Sequence, residues 1–165
     1  MSLETVIIAS IKAQETAPFD LASSSASIGL EVRHNLANGS AAGQAQKAFS
    51  DSRVIAASGS ENLDLAGALS SALGTTITFA TVKAILIRAK ATNANNVVVG
   101  PSASNGFLGP FADASDRVAV KPGGSFLVTA PDAGWAVTAG TGDLLTVANS
   151  GAGTEVGYDI VVIGT

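Results

Sequence analysis

The chain has a single histidine, His34, and a Ser–His–Asp device cannot be built without one. His34 lies in an alternating apolar–polar segment beside Arg33 and reads as an ordinary strand residue. No Gly-x-Ser-x-Gly elbow is present to lift a serine nucleophile on a sharp turn. One imidazole also excludes the multi-histidine zinc sites, and the absence of cysteine excludes thiolate ligation and disulfides alike. Two carboxylates, Asp113 and Asp116, share one long loop and are the best candidates for an acid/base pair. Loop aspartates more often cap turns or face water. No Asp-x-Asp-x-Asp-Gly calcium loop occurs, which leaves an incidental Ca²⁺ between loops as the remaining metal chemistry. The glycine-rich stretches are not phosphate cradles: no Gly-Lys-Ser/Thr follows them, and Gly151-Ala152-Gly153 runs into a β-run where a helix N-terminus would be needed. Asn38-Gly39-Ser40 has the form of a glycosylation acceptor but reads more simply as an Asn-Gly turn. Trp135, the only tryptophan, is either a stacking platform for a sugar, with Asp132 and Thr138 near it, or a core or interface anchor. No residue is assigned to catalysis, to a cofactor or to a metal, and the expectation is a protein that is not an enzyme.

The elements that would hold these residues are strands. β-Branched runs recur between Gly, Pro, Asn, Asp and Ser punctuation. Thr5–Ile11 and Ile28–His34 read as strands joined by a serine-rich connection, 14–27, that contains Pro18. Short strands follow at Ala48–Ala57, Asn62–Leu65 and Asn96–Val99. Leu65, Leu69 and Leu73, with Gly74 placed as a cap, predict one helical turn. Thr75–Ala89 is the longest β-run, with a bend near Ala80–Thr81. Its end, Ala84-Ile85-Leu86-Ile87, is apolar on both faces and should be a central strand. Gly100–Arg117 is a long loop in which Phe107 and Phe111 flank Gly109-Pro110, a pattern that suggests docking. Pro122-Gly123-Gly124 separates Val118–Lys121 from Ser125–Ala130, and Gly140-Thr141-Gly142 separates Trp135–Ala139 from Asp143–Ala148, both as hairpin-like turns. The last strand, Val156–Ile163, must be central or covered, because only Asp159 interrupts its apolar run. About ten short strands with at most one short helix predict an all-β, jelly-roll-like sandwich forming a single domain over 1–165, with 1–27 as an N-terminal strand and linker available for attachment.

Composition narrows the class. At 165 residues one full core is possible and two are not. Net charge is −4 and the nine basic residues are scattered, so no stripe follows a phosphate backbone and nucleic acid is not an expected partner. The opening Met1–Ile8 lacks a basic segment and its apolar run is too short for a signal peptide, and no stretch is long enough to cross a membrane as a helix. Charged residues are only 13% of the chain, about half the usual share. A small domain with so few charges points to surface that is buried against neighbours.

The stretch Ser58–Gly67, with Thr76–Phe79, Val82–Arg88, Lys121–Leu127, Gly134–Asp143 and Tyr158–Gly164, resembles small virion proteins of tailed bacteriophages. The likeness covers roughly 48–165 and consists of turn and core residues, with no catalytic residues to carry over. It implies a virion structural protein, assembled in the host cytoplasm. The first expectation is a capsid decoration (cement) protein that binds the major capsid protein or other virion proteins. The alternative is a receptor- or glycan-binding module of a tail or head fibre. A homo-oligomer, a trimer first, is expected. The residues named for the interface are Phe107, Phe111, Pro122, Trp135 and Tyr158.

Overall fold

The computed structural model describes residues 2–67 and 69–165, and among these there are strands and turns but no helix. Strands β1 (Thr5–Pro18) and β2 (Ser23–Asn38) pair antiparallel along their whole length, from Thr5↔Leu36 to Pro18↔Ser23. They form a long ribbon closed by the turn Phe19–Ala22. β3 (Gln44–Ala45) then adds a short parallel pairing to the end of β2.

The rest of the chain is a two-sheet sandwich. One sheet has the order β11 (Ser125–Thr129), β8 (Thr81–Ala89), β14 (Val156–Gly164), β4 (Lys47–Ile55), with β12 (Trp135–Ala136) on the far part of β8. The other has the order β10 (Val118–Val120), β9 (Val97–Pro101), β13 (Leu144–Asn149), β5 (Ser60–Asp64). Apart from the short β12, the first of the eight strands pairs with the last (β4–β14), the second with the seventh (β5–β13), the third with the sixth (β8–β11) and the fourth with the fifth (β9–β10), all antiparallel. This nesting is that of a long hairpin wrapped around a barrel axis, the jelly roll. A small hairpin, β6 (Leu69–Ser70) with β7 (Thr76–Ile77), lies between β5 and β8.

Alternation along the strands fills the space between the sheets. Ile85 and Ile87 of β8, Val156, Tyr158, Ile160 and Val162 of β14, Val97 and Val99 of β9, and Leu145 and Val147 of β13 are all buried in one core with Phe49, Leu63 and Phe79. β8 lies between β11 and β14, and β14 between β8 and β4, so the run read as central is central, and so is the last strand, expected to be central or covered. The apolar outer face of β14 is also accounted for. Ala84 and Ile163 join Leu36 and Ala45 in a second small cluster, packed by Leu3, Ile7, Ala48 and Val161, where the root of the ribbon sits on the sandwich.

Three local expectations are corrected. The connection 14–27 is not a linker: its ends extend β1 to Pro18 and start β2 at Ser23, leaving a four-residue turn. Over Leu65–Leu73 the described residues form no helix; Leu65 and Leu69 are buried in the core, Leu73 is exposed, and Gly74 takes φ +78° in the turn between β6 and β7. A positive-φ glycine serves a hairpin as readily as a helix cap. The turns at Pro122–Gly124 and Gly140–Gly142 do not join paired strands. β10 and β11 belong to opposite sheets, and so do β12 and β13. Gly123 and Gly140 do adopt positive φ, +76° and +74°. Turn chemistry specifies the reversal, and the sandwich decides whether the chain returns to its neighbour or crosses to the other sheet.

Candidate interface

The residues first named for an interface are mostly used inside the chain. Phe107 is fully buried and Phe111 nearly so, both in the sandwich core. The loop folds them inward: Phe107 N–H donates to the Leu144 carbonyl at 2.9 Å, and Gly106 makes a bridge to the same residue. Gly109, at φ +29°, lies so close over the Phe107 ring that a Cβ would sit 2.3 Å from it. Tyr158 is also buried, and its hydroxyl donates to Glu61 Oε1 at 2.9 Å. These three side chains are core: Tyr158 points inward from β14, and the two rings of the long loop find cover on their own domain. Trp135 is half-buried and packs against the same core. Pro122 is exposed in its turn.

The loop carboxylates hold turns. Asp116 Oδ2 accepts the N–H groups of Ala112 and Asp113 at 3.1 and 3.0 Å. Asp113 Oδ1 accepts both the N–H and the hydroxyl of Ser115, which holds its carboxyl below the usual aspartate range. Both aspartates are exposed. His34 lies in the ribbon opposite Ile7, away from both.

A polar network links the edge strands β4 and β5 of the two sheets. Arg53 Nε donates to Glu61 Oε2 at 2.7 Å and Arg53 Nη1 to Asp51 Oδ2 at 2.8 Å, while Tyr158 bonds the other oxygen of Glu61. Burial, then the hydrogen bond to Glu61, pushes the Tyr158 hydroxyl far above its ordinary pKa. The guanidinium of Arg53, paired with Glu61, is held above its own ordinary value. Every polar end here has a partner, and the arrangement is structural.

What remains open is the ribbon. In a paired ribbon, directly opposite residues share a face and the faces alternate. The register therefore places Ala9 with Val32, Ile11 with Leu30, Ala13 with Ile28 and Glu15 with Ala26 on one face. The other face carries Ser10 with Glu31, Lys12 with Gly29, Gln14 with Ser27 and Thr16 with Ser25. One side is an aliphatic stripe whose only charge is Glu15; the other is polar. The stripe is bare: Ile11 is 71% and Leu30 67% exposed. At the tip, Phe19 is 64% exposed and Leu21 completely so. The stripe continues the face that packs onto the sandwich at Ile7 and Leu36.

Beside that root lies an apolar cleft of about 280 Å³ between Thr5–Ile8 of the ribbon and the outer face of the first sheet, lined there by Ala84, Leu86, Leu127, Val161 and Ile163. One row further out the sheet becomes polar. Asp159 takes Arg88 Nη2 at 2.6 Å and Nε at 3.0 Å, and also pairs with Lys90. Hydrogen bonds from Lys90, Ser52 and Arg88 lower the Asp159 carboxyl to about 2.

Alternation of apolar residues at 7, 9, 11 and 13, and again at 26, 28, 30 and 32, was a legible signal for this stripe once the two strands are set in register. No protein-family model matches the chain, and a search of curated proteins finds no match.

Proposed function

We propose that this chain is a structural protein that works by fitting against other protein surfaces, as a decoration protein on the head shell of a tailed bacteriophage. The observation that carries the reading is the bare aliphatic face of the ribbon, a continuous stripe of paired positions, whereas the large apolar side chains exposed on the body are Val54, Leu73, Leu86 and Leu108. A two-stranded ribbon is at best marginal in water by itself. An arm of 14 and 16 residues that keeps several aliphatic side chains in solvent is built to be covered. The sandwich supplies a rigid base, and the low charge of the chain suits close packing of many copies. The likeness of 48–165 to small virion proteins supplies the setting.

Reconstruction of particles assembled with and without this chain tests the proposal. Added density at regular positions on the head shell supports it. Density on a tail or fibre, with binding on a glycan array, moves the function to receptor recognition. Absence from the particle overturns the virion setting.

A further inference from the structure

We propose that the occupant of the ribbon's apolar face is the ribbon of a second copy, running antiparallel to it, with each tip seated in the cleft at the other's root. The inference deepens the assembly reading above and rests on it only for its biological setting. Four observations carry it. The stripe is self-complementary: a face of Ala, Ile, Leu and Val with one charge needs no unlike partner, as a two-fold contact requires. Its extent is sufficient. The exposed fractions of Ile11, Ile28, Leu30, Val32, Phe19 and Leu21 amount to roughly 800 Å² per copy, so mutual cover approaches the ~1,600 Å² of a standard interface.

Knob and hole also lie at opposite ends of one arm. Phe19 and Leu21 project at the tip, and the cleft beside Val6–Ile8 is of about 280 Å³, where about 150 Å³ suffices to hold a benzene ring. Antiparallel overlap brings each tip to the other root without further adjustment. Charge selects this direction over a parallel bundle. Side by side in parallel, Glu15 would face Glu15 across the stripe and Asp20 would meet Asp20 at the tips. The antiparallel pair separates them. The outer sheet of a neighbouring body is a poorer partner, because the row beyond Leu86, Leu127 and Val161 is the Arg88–Asp159 pair, which an aliphatic stripe would strip of water without replacing its hydration. The result is a two-fold pair in place of the three-fold cluster that the resemblance implies.

The chain contains no cysteine, so single substitutions report cleanly. Ala13→Cys places a thiol on the stripe near the middle of the overlap, and Gln14→Cys places one on the opposite face. Under mild oxidation the full-length Ala13→Cys protein should form a covalent dimer, and the Gln14→Cys protein should not. Sedimentation of the unmodified chain should give twice the chain mass at micromolar concentration. Phe19→Ser with Leu21→Ser, which alters only exposed tip residues, should weaken the pair at least tenfold with an unchanged circular dichroism spectrum. A trimeric mass, a monomer at all concentrations, or equal cross-linking from both faces overturns the proposal. A monomer found on the head shell would leave the decoration function standing without this pairing, and a two-fold dimer absent from particles would do the reverse.

Discussion

Tyr158 and Asp159 are adjacent on β14, point to opposite faces, and show how differently a polar group is handled on each. The Tyr158 hydroxyl is inside, so its bond to Glu61 replaces water that cannot reach it. Tyr158→Phe keeps the ring and leaves Glu61 held by Arg53 alone. We expect a loss of about 1.5–3 kcal/mol, the range for a hydrogen bond to a charged group, read as a lower urea midpoint with an unchanged slope. Asp159 is outside, and its carboxyl is lowered from 3.8 to about 2 by Lys90, Ser52 and Arg88. A carboxyl with a folded pKa below its unfolded value stabilises the fold above about pH 4, and that contribution is lost as pH falls from 4 towards 2. The pair is partly solvated, so the contribution is under about 1 kcal/mol. Asp159→Asn should flatten the pH dependence of stability between pH 4 and 2 and leave it unchanged above pH 5. Circular dichroism melts across that range check the sign.

Elements in this fold meet at close approaches that leave room for one residue type. At Gly164 the register of β14 on β8 shifts, and a Cβ there would lie 2.0 Å from the Thr81 carbonyl oxygen and 2.8 Å from the Phe79 ring. Gly164→Ala should therefore push the end of β14 off β8, at about 1–3 kcal/mol. For a chain of this size each kcal/mol lowers the melting temperature by about 2–4 °C, so calorimetry resolves the change. The strands of the sandwich were legible because their apolar residues alternate or run continuously between turn residues. The bend expected near Ala80–Thr81 falls at the start of β8, after residues 78–80, and the run read as one long strand is two, β7 and β8, in different sheets. What local pattern does not carry is which strands pair. Pro122–Gly124 is the same reversal whether it closes a hairpin or crosses between sheets. The ribbon was misread for a different reason. Ser23–Ser27 and Gln14–Pro18 have low β-propensity, and they are strand because each lies in register with the other along a long hairpin. The loop position of Phe107 and Phe111 points outward in sequence, whereas the core has room for both rings.

At the scale of the molecule the chain divides into a body with its own core and an arm without one. The two sheets share one core, while the arm meets the body at its root, through the cluster of Leu3, Ile7 and Leu36 with Ala45, Ala48, Ala84, Val161 and Ile163, the pairing of β2 with β3, and the cleft against the first sheet. The arm reaches about 45 Å at roughly 3.3 Å per residue, and past its root none of the described residues of the body covers its exposed stripe. If the arm makes the proposed pairing, stability and assembly are carried by separate parts. Ile8 lies opposite Arg33, so replacing Ala9–Val32 with Asn-Gly closes the root with a two-residue turn that suits the twist of a hairpin. The shortened protein keeps Ile7, Leu36 and the cluster beneath them, and loses the aliphatic stripe and the tip. We expect its unfolding free energy to stay within about 1 kcal/mol of the parent under conditions where both are monomeric, the range of a surface change that touches no core contact. We expect its self-association to vanish. Sedimentation and denaturant unfolding of the two proteins side by side measure both quantities. A large loss of stability would make the arm part of the folding unit, and association that survives its removal would place the contact between copies on the sandwich.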